Sequence, residues 1–275
     1  MTERERHVLV TGANSGIGLA TVLELARRDF RVTGTVRSKA KAKVVAAAAS
    51  EAGVDVETAI LDVTDADGCA ALMAEMGALH GLVNNAGYGM TGAVEDVADD
   101  EVHQILDTMV VAPIRLARLA IPAMRAAGGG RIVNISSIYG RTTTPLTGWY
   151  QGTKHALEGV SDALRMEVAK DGIDVVLVEP GGFKTNIWED LERDMAKREG
   201  SDYTGSYERL GSLLSMWSGL MGEPKTCAKV IAKALSTSSP RSRYLVGVDA
   251  RLMSVAADIT PTAIKDRVMR LAQGL

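Results

Sequence analysis

The sequence predicts a three-layer, doubly wound α/β fold around a mostly parallel, seven-stranded sheet, and three observations carry that expectation. Short β-branched runs alternate with longer Ala/Leu-rich stretches, the order of repeated strand–helix–strand units. The 275 residues are 46% hydrophobic and 24% charged, enough for a large core and too apolar for a disordered chain. A glycine-rich turn follows the first apolar run directly.

Residues 7–11 read as the first strand and 16–29 as a helix with Leu19, Val22, Leu23, Leu25 and Ala26 on its apolar side. A second strand follows over 31–36, and Ser38 is placed to cap the next helix. Residues 58–61 are a third strand, a helix begins near Asp65, and 81–84 are a fourth strand. A long helix is expected over 99–127, with Pro113 and Pro122 as kinks and the glycines at 128–130 as its stop. The fifth strand is 131–136, a helix covers 149–170, and 173–179 form an apolar sixth strand suited to a buried parallel sheet. Residues 225–235 and 244–248 supply one more helix and strand. No repeat or linker-like composition divides the chain, so residues 1–275 are expected to form one domain.

Segment 186–223 stands apart. It mixes charges with Trp188, Met195, Tyr203, Tyr207, Leu213, Leu214, Met216, Trp217 and Met221, and lies between a strand and a helix, where ligand loops of α/β sheets occur. A short helical lid over an apolar substrate pocket is one reading; simple packing of that segment or of a subunit interface is the other.

The formal net charge of −3 gives no overall electrostatic case for nucleic acid or a bilayer surface. No run approaches the ~20 apolar residues of a membrane span, and the first residues lack a secretory pattern, so a cytoplasmic location is expected. Cys69 and Cys227 are far apart and read as free thiols. No His/Cys/carboxylate cluster has metal spacing, so no metal is expected.

The turn Thr11-Gly12-Ala13-Asn14-Ser15-Gly16-Ile17-Gly18 joins the first strand to the first helix. Gly12 permits a sharp turn, Gly16 close backbone approach to a pyrophosphate, and Gly18 tight helix–sheet packing. The helix start offers free N–H groups to an anion, and Ser15 a hydroxyl donor. The second strand ends at Val36 with no carboxylate, and Arg37 follows. A guanidinium there suits a ribose 2′-phosphate and favours NADP(H) over NAD(H), the alternative being a solvated basic helix start with Lys39, Lys41 and Lys43. Asp62, next to Val63 after the third strand, is placed either to accept from an adenine amino group or to cap the next segment.

Tyr150 and Lys154 are four residues apart in a predicted helix and so share a face. A neighbouring ammonium is expected to lower the phenol's pKa, fitting it for acid–base work on a carbonyl or alcohol. Ser137 lies thirteen positions before Tyr150, where its hydroxyl can hold a substrate oxygen, with Ser136 as competitor. His155 points off the Tyr/Lys face and reads as structural.

With these motifs in order, the chain resembles the short-chain dehydrogenase/reductase family over about 8–187. The resemblance rests on the glycine turn, Asn84-Asn85-Ala86-Gly87 after the fourth strand, Ser137, Tyr150-x-x-x-Lys154 and Pro180-Gly181-Gly182…Thr185 after the sixth. It implies a Rossmann-like fold, hydride exchange with NADP(H), or alternatively NAD(H), and catalysis by Ser137, Tyr150 and Lys154. It implies that Gly12, Asn14, Ser15, Gly16, Ile17 and Gly18 cradle the cofactor, joined by Arg37, Asp62, Val63 and Asn85–Ala86–Gly87. Lys154 is implied to hold the nicotinamide ribose, and Pro180, Gly182 and Thr185 the carboxamide. It also implies a homodimer or homotetramer.

One departure stands out. Family members often carry an Asn that holds a proton-relay water, and the matching position here is Met109, whose side chain cannot donate. The backbone carbonyl there, or Thr108, is the substitute. The C-terminal stretch resembles relatives acting on lipophilic carbonyls and alcohols. Two rival readings are a dinucleotide-binding sensor without turnover, and a nucleotide-sugar enzyme for which the C-terminal region is short.

Overall fold

The computed structural model describes residues 6–217, 219 and 221–275. The N-terminal pattern therefore lies largely outside the described residues, as does the side chain of Trp217.

Seven strands form one sheet: β1 (His7–Val10), β2 (Arg31–Val36), β3 (Glu57–Ile60), β4 (Gly81–Asn84), β5 (Gly130–Ile135), β6 (Ile173–Pro180) and β7 (Arg243–Val246). Their order is β3-β2-β1-β4-β5-β6-β7, and every neighbouring pair is parallel. The sheet is wholly parallel because each connection is a helical crossover and none is a hairpin. The crossovers are α1 (Gly16–Ala26), α2 (Lys39–Ala52), α3 (Ala66–Met76), α4 (Asp99–Leu106), α5 (Ala112–Ala126) and α6 (Gly148–Val168). After β6 come α7 (Ile187–Ala196), α8 (Thr204–Trp217) and α9 (Pro224–Ser236), and after β7 come α10 (Val248–Ile259) and α11 (Thr262–Gln273).

The period of two along β1 builds both cores. Val8 and Val10 pack with Val22 and Leu25 of α1 and Ile231 and Leu235 of α9. Leu9, on the other face, packs with Met73 of α3 and with Leu116 and Met124 of α5. This three-layer, Rossmann-like arrangement is the one expected, with strand bounds shifted by one or two residues. Ser38 caps α2 as expected, its Oγ accepting from the Lys41 N–H at 3.3 Å.

The expected 99–127 helix is interrupted. Asp107–Val111 form a π-helical turn between α4 and α5. Pro113 supplies the physical reason: it has no N–H to donate to the Met109 carbonyl, so the ordinary ladder breaks there. Pro122, by contrast, sits inside α5. Helices α10 and α11 were not foreseen.

A buried polar chain ties sheet to helix. Asn84 Nδ2 donates to Asn134 Oδ1 at 2.8 Å, and Asn134 Nδ2 donates to Ser161 Oγ on α6 at 2.8 Å. These side chains fix α6 against β5, and α6 carries Tyr150 and Lys154.

Candidate active site

The chain crosses from β3 to β4 over β1, so the strand order reverses between β1 and β4. In such a sheet the crevice beyond the strand C-termini at that reversal is where ligands sit. A cavity of about 1540 Å³ opens there.

Its floor is the glycine turn. Gly12 has φ +68°, and a Cβ on Gly18 would collide with the Gly12 carbonyl oxygen, so neither position admits a side chain. Ser15 caps α1 without a side-chain hydrogen bond, and no acidic residue lies in the first helical turn. The first N–H groups of α1 therefore face the cavity uncapped by the protein. Gly12, Asn14, Ser15, Gly16 and Ile17 line this part. Gly18 does not; its role is the close approach beneath the turn.

Arg37, Asp62 and Val63 line the neighbouring wall. Among the described residues Arg37 has no ion-pair partner, although it acts at longer range on Asp62. Asp62 makes a local turn: its Oδ1 accepts from the Thr64 N–H at 3.0 Å and from the Thr64 hydroxyl at 2.8 Å. The hydrogen bonds from Thr64 hold the Asp62 carboxyl below its ordinary range. Asn85, Ala86 and Gly87 form the next wall, held to β1 by Thr11 Oγ1, which accepts from the Asn85 and Ala86 N–H groups at 2.9 Å each.

At the other end stand Ser137, Tyr150 and Lys154, all buried and all facing the same cavity. Lys154 Nζ lies 5.7 Å from the Tyr150 ring centroid and donates to the Ile135 carbonyl at 3.0 Å. Ser137, not Ser136, is the hydroxyl that acts on the phenol, and its Oγ is positioned by the Tyr139 N–H, which donates to it at 3.1 Å. Ser136 Oγ is buried and has no hydrogen-bond partner among the described residues.

The expected electrostatics is reversed. Burial pushes the Tyr150 phenol up to about 12, with the Ser137 hydrogen bond pulling the other way. Burial also pushes Lys154 down to about 8, opposed by Glu158 one helical turn on. Desolvation is the largest influence on both groups.

The loop before α6 is sewn down by Gln151, whose Nε2 donates to Thr144 Oγ1 at 2.8 Å and to Thr147 Oγ1 at 2.6 Å. Leu146 in that loop has φ +65°, a strained value for a β-carbon residue. His155 hydrogen-bonds the Gln151 carbonyl at 2.9 Å through Nδ1 and stays outside the cavity.

Pro180, Gly182 and Thr185 line the far wall. The Gly182 N–H donates to Asp249 Oδ2 of α10 at 2.6 Å, a partner the sequence did not suggest. Helices α7 and α8 roof the cavity through Trp188, Leu191, Leu210, Leu213 and Leu214.

The family model described as short chain dehydrogenase matches residues 6–196. The chain belongs to the short-chain dehydrogenase family. This short-chain dehydrogenase is 33% identical over 270 residues to the uncharacterized oxidoreductase YusZ of Bacillus subtilis, covering 95% of this chain and 96% of that protein. It is 31% identical over 287 residues to retinol dehydrogenase 7 of Rattus norvegicus, covering 97% and 88%. Its fold matches a short-chain dehydrogenase from Streptomyces avermitilis with TM-score 0.80 and 30% identity, covering 100% of this chain and 99% of that one. It also matches a metagenomic short-chain oxidoreductase in complex with NADP, with TM-score 0.70 and 27% identity, covering 88% and 96%. The enzyme is an NAD(P)-dependent oxidoreductase.

Sequence reasoning missed several residues of this dehydrogenase's cavity. Val248, Asp249, Leu252 and Met253 of α10 and Gln273 of α11 line it. The apolar period in 248–259 and 264–275 was the available signal. Among the described residues there is no metal-ligating cluster, and no helix is long and apolar enough to cross a membrane.

Proposed function

We propose that this dehydrogenase uses NADP(H) to interconvert an apolar carbonyl compound and its alcohol. The observation that carries the reading is one continuous cavity with the uncapped glycine turn and Arg37 at one end and Ser137, Tyr150 and Lys154 at the other. The donor set fits the cofactor: backbone N–H groups suit a pyrophosphate, and a guanidinium with no ion-pair partner among the described residues suits a further phosphate. The NADP complex of the metagenomic relative and the retinol named for the rat relative agree with both halves of the proposal.

When bound, the nicotinamide supplies or accepts the hydride. Tyr150 donates its proton to the carbonyl oxygen in reduction and takes it back in oxidation. A phenol at about 12 is fully protonated at neutral pH, the state reduction needs. Ser137 donates a hydrogen bond to the same oxygen as charge builds on it. Lys154 carries the positive charge that stabilises the tyrosinate left behind, and its ammonium reprotonates the phenol. The wall of leucines on α8 excludes water, and segment 186–223 serves as the lid.

Titration with both reduced cofactors tests the first half: NADPH binds more tightly than NADH, and Arg37→Ala removes most of that preference. Tyr150→Phe tests the second: reduction falls by about 10³-fold or more while NADPH binding is retained. Equal affinity for the two cofactors overturns the NADP(H) assignment, and an active Tyr150→Phe enzyme overturns the chemistry.

A further inference from the structure

Among the described residues, the C-terminal helices expose large apolar side chains out of proportion to their length. Among the described residues, fifteen large apolar side chains are exposed, and eight of them fall within residues 248–275. They form two stripes of identical spacing. Val248, Leu252, Val255 and Ile259 run along α10, and Ile264, Val268, Leu271 and Leu275 along and just beyond α11. Steps of four, three and four place each set on one helix face. Their exposure runs from 43% to 74%, so neither face is covered by the protein itself.

Two further observations say what covers them. The α10 stripe begins at the cavity, because Val248 and Leu252 both line it and are exposed. Gln273 brings α11 to the same cavity wall, and Met216 of α8, 69% exposed, lies beside Ala272. The α10 stripe is thus continuous with the substrate cavity, while α11 meets the cavity through Gln273 on the face opposite its own stripe. The second observation is charge. Helix α11 carries Lys265, Arg267 and Arg270 against Asp266, net positive in a chain whose formal charge is −3. On α10, Arg251 is exposed and Asp249 is turned inward to the Gly182 N–H, and with Asp258 also in its sequence the positive charge lies on α11 and not on α10. Among the described residues, Arg251, Arg267 and Arg270 have no ion-pair partner.

We propose that the exposed apolar faces of α10 and α11 dock on an anionic lipid surface, setting the cavity mouth against the bilayer so that an apolar substrate enters from the membrane. An amphipathic helix with basic residues beside an apolar stripe lies in the headgroup boundary, its apolar side chains buried and its cations at the phosphates. A second copy of this chain is the poorer occupant, since symmetric pairing of α11 with itself opposes like charges. The entry of substrate from the membrane rests on the functional reading above, whereas docking does not.

The test is co-flotation of the full chain with phosphatidylcholine vesicles containing about one-third phosphatidylglycerol. Wild type floats with these vesicles, less so at high salt and less with phosphatidylcholine alone. The triple variant Ile264→Asp/Val268→Asp/Leu271→Asp loses binding by at least about 10-fold, and Arg267→Gln and Arg270→Gln each lower it by about 5-fold. An unchanged circular dichroism spectrum and unchanged turnover of a water-soluble ketone show that the triple variant is folded with an intact site. A long-chain ketone supplied in vesicles then loses at least about 10-fold in kcat/KM in that variant only. Failure of wild type to float, or equal flotation of the triple variant, overturns the proposal. So does a wild-type dimer that ignores vesicles and falls to monomer in the triple variant, which would assign the face to a second copy. If neither protein turns over any ketone, the functional reading fails, and flotation alone still decides docking.

Discussion

Lys154 makes the proposed chemistry sensitive to pH. Burial lowers it to about 8, so at neutral pH the ammonium is present and supports the tyrosinate formed in reduction. Raising the pH through about 8 removes that charge, while Tyr150, up at about 12, keeps its proton. The expected kcat profile for reduction is flat at lower pH and falls above about 8, a single-limb titration readable by following NADPH absorbance. The sequence placed these two side chains on one helix face, but not the sign of their shifts. Spacing reports neighbours; the balance of desolvation against charge depends on burial, which belongs to the folded chain. Asn134 shows the same limit. Nothing in residues 131–136 marks it as the link between Asn84 and Ser161, yet it is fully buried and bonded to both. Asn134→Ala strands Ser161 and leaves Asn84 with only the Pro113 carbonyl, so unfolding in urea should show a loss of about 2–4 kcal/mol.

A charged clasp helps hold the roof of the cavity. Arg198, just beyond α7, meets Glu101 of α4 in two parallel hydrogen bonds of 2.9 and 3.0 Å. Asp194 of α7 accepts from the Thr91 N–H at 3.4 Å, and Tyr207 of α8 accepts from the Ala93 N–H while donating to Asp96, each at 2.7 Å. Segment 186–223 was legible as different from its composition, with a short helical lid as one reading, but the bounds of α7 and α8 were not read from it. The clasp was not legible, because its two halves lie 97 positions apart. Arg198→Ala should loosen α7 and α8 from α4, raising KM for an apolar substrate more than it lowers kcat and speeding proteolysis within 186–223. The Arg198 hydrogen bond holds Glu101 below its ordinary value, so the clasp is fully formed above that value. Its stabilisation is lost as pH falls through the depressed one, so the wild-type roof should acquire the variant's protease sensitivity only below the ordinary carboxylate range.

The two ends of the sheet differ in how they are closed, and this decides where the molecule is most easily broken. On the β3 edge, Arg31 and Glu57 form an exposed pair at 2.9 Å, the kind that contributes little. On the β7 edge, Arg243 reaches inward to three carboxylates. Its Nε donates to Glu158 Oε2 at 3.1 Å, and a second guanidinium nitrogen donates to Asp162 Oδ2 at 2.6 Å. Its Nε also lies 3.2 Å from Glu179 Oε1, too poorly aligned for a hydrogen bond, so this contact is purely coulombic. Glu179 has no exposed surface, and its burial, with Glu158 adding like charge, pushes its pKa up. The alternation of strands and helices made the sheet order readable as a class. It did not reveal that an edge-strand arginine neutralises acids on β6 and α6, since that needs three elements brought together. Arg243→Met keeps the apolar stem and removes the charge, leaving Glu158 without its ion-pair partner and Glu179 with Arg141 alone at 3.5 Å. The expected cost is about 3–5 kcal/mol, or a fall of roughly 10 °C in Tm. A carboxyl whose folded pKa is raised stabilises the fold below its unfolded value and loses that contribution as pH rises through the folded one. The Tm gap between wild type and Arg243→Met should therefore be widest at neutral pH and narrow as pH falls toward 4.5, where protonation removes the negative charge that Arg243 no longer offsets. A gap independent of pH would mean that Arg243 acts through packing of its stem and not through its charge.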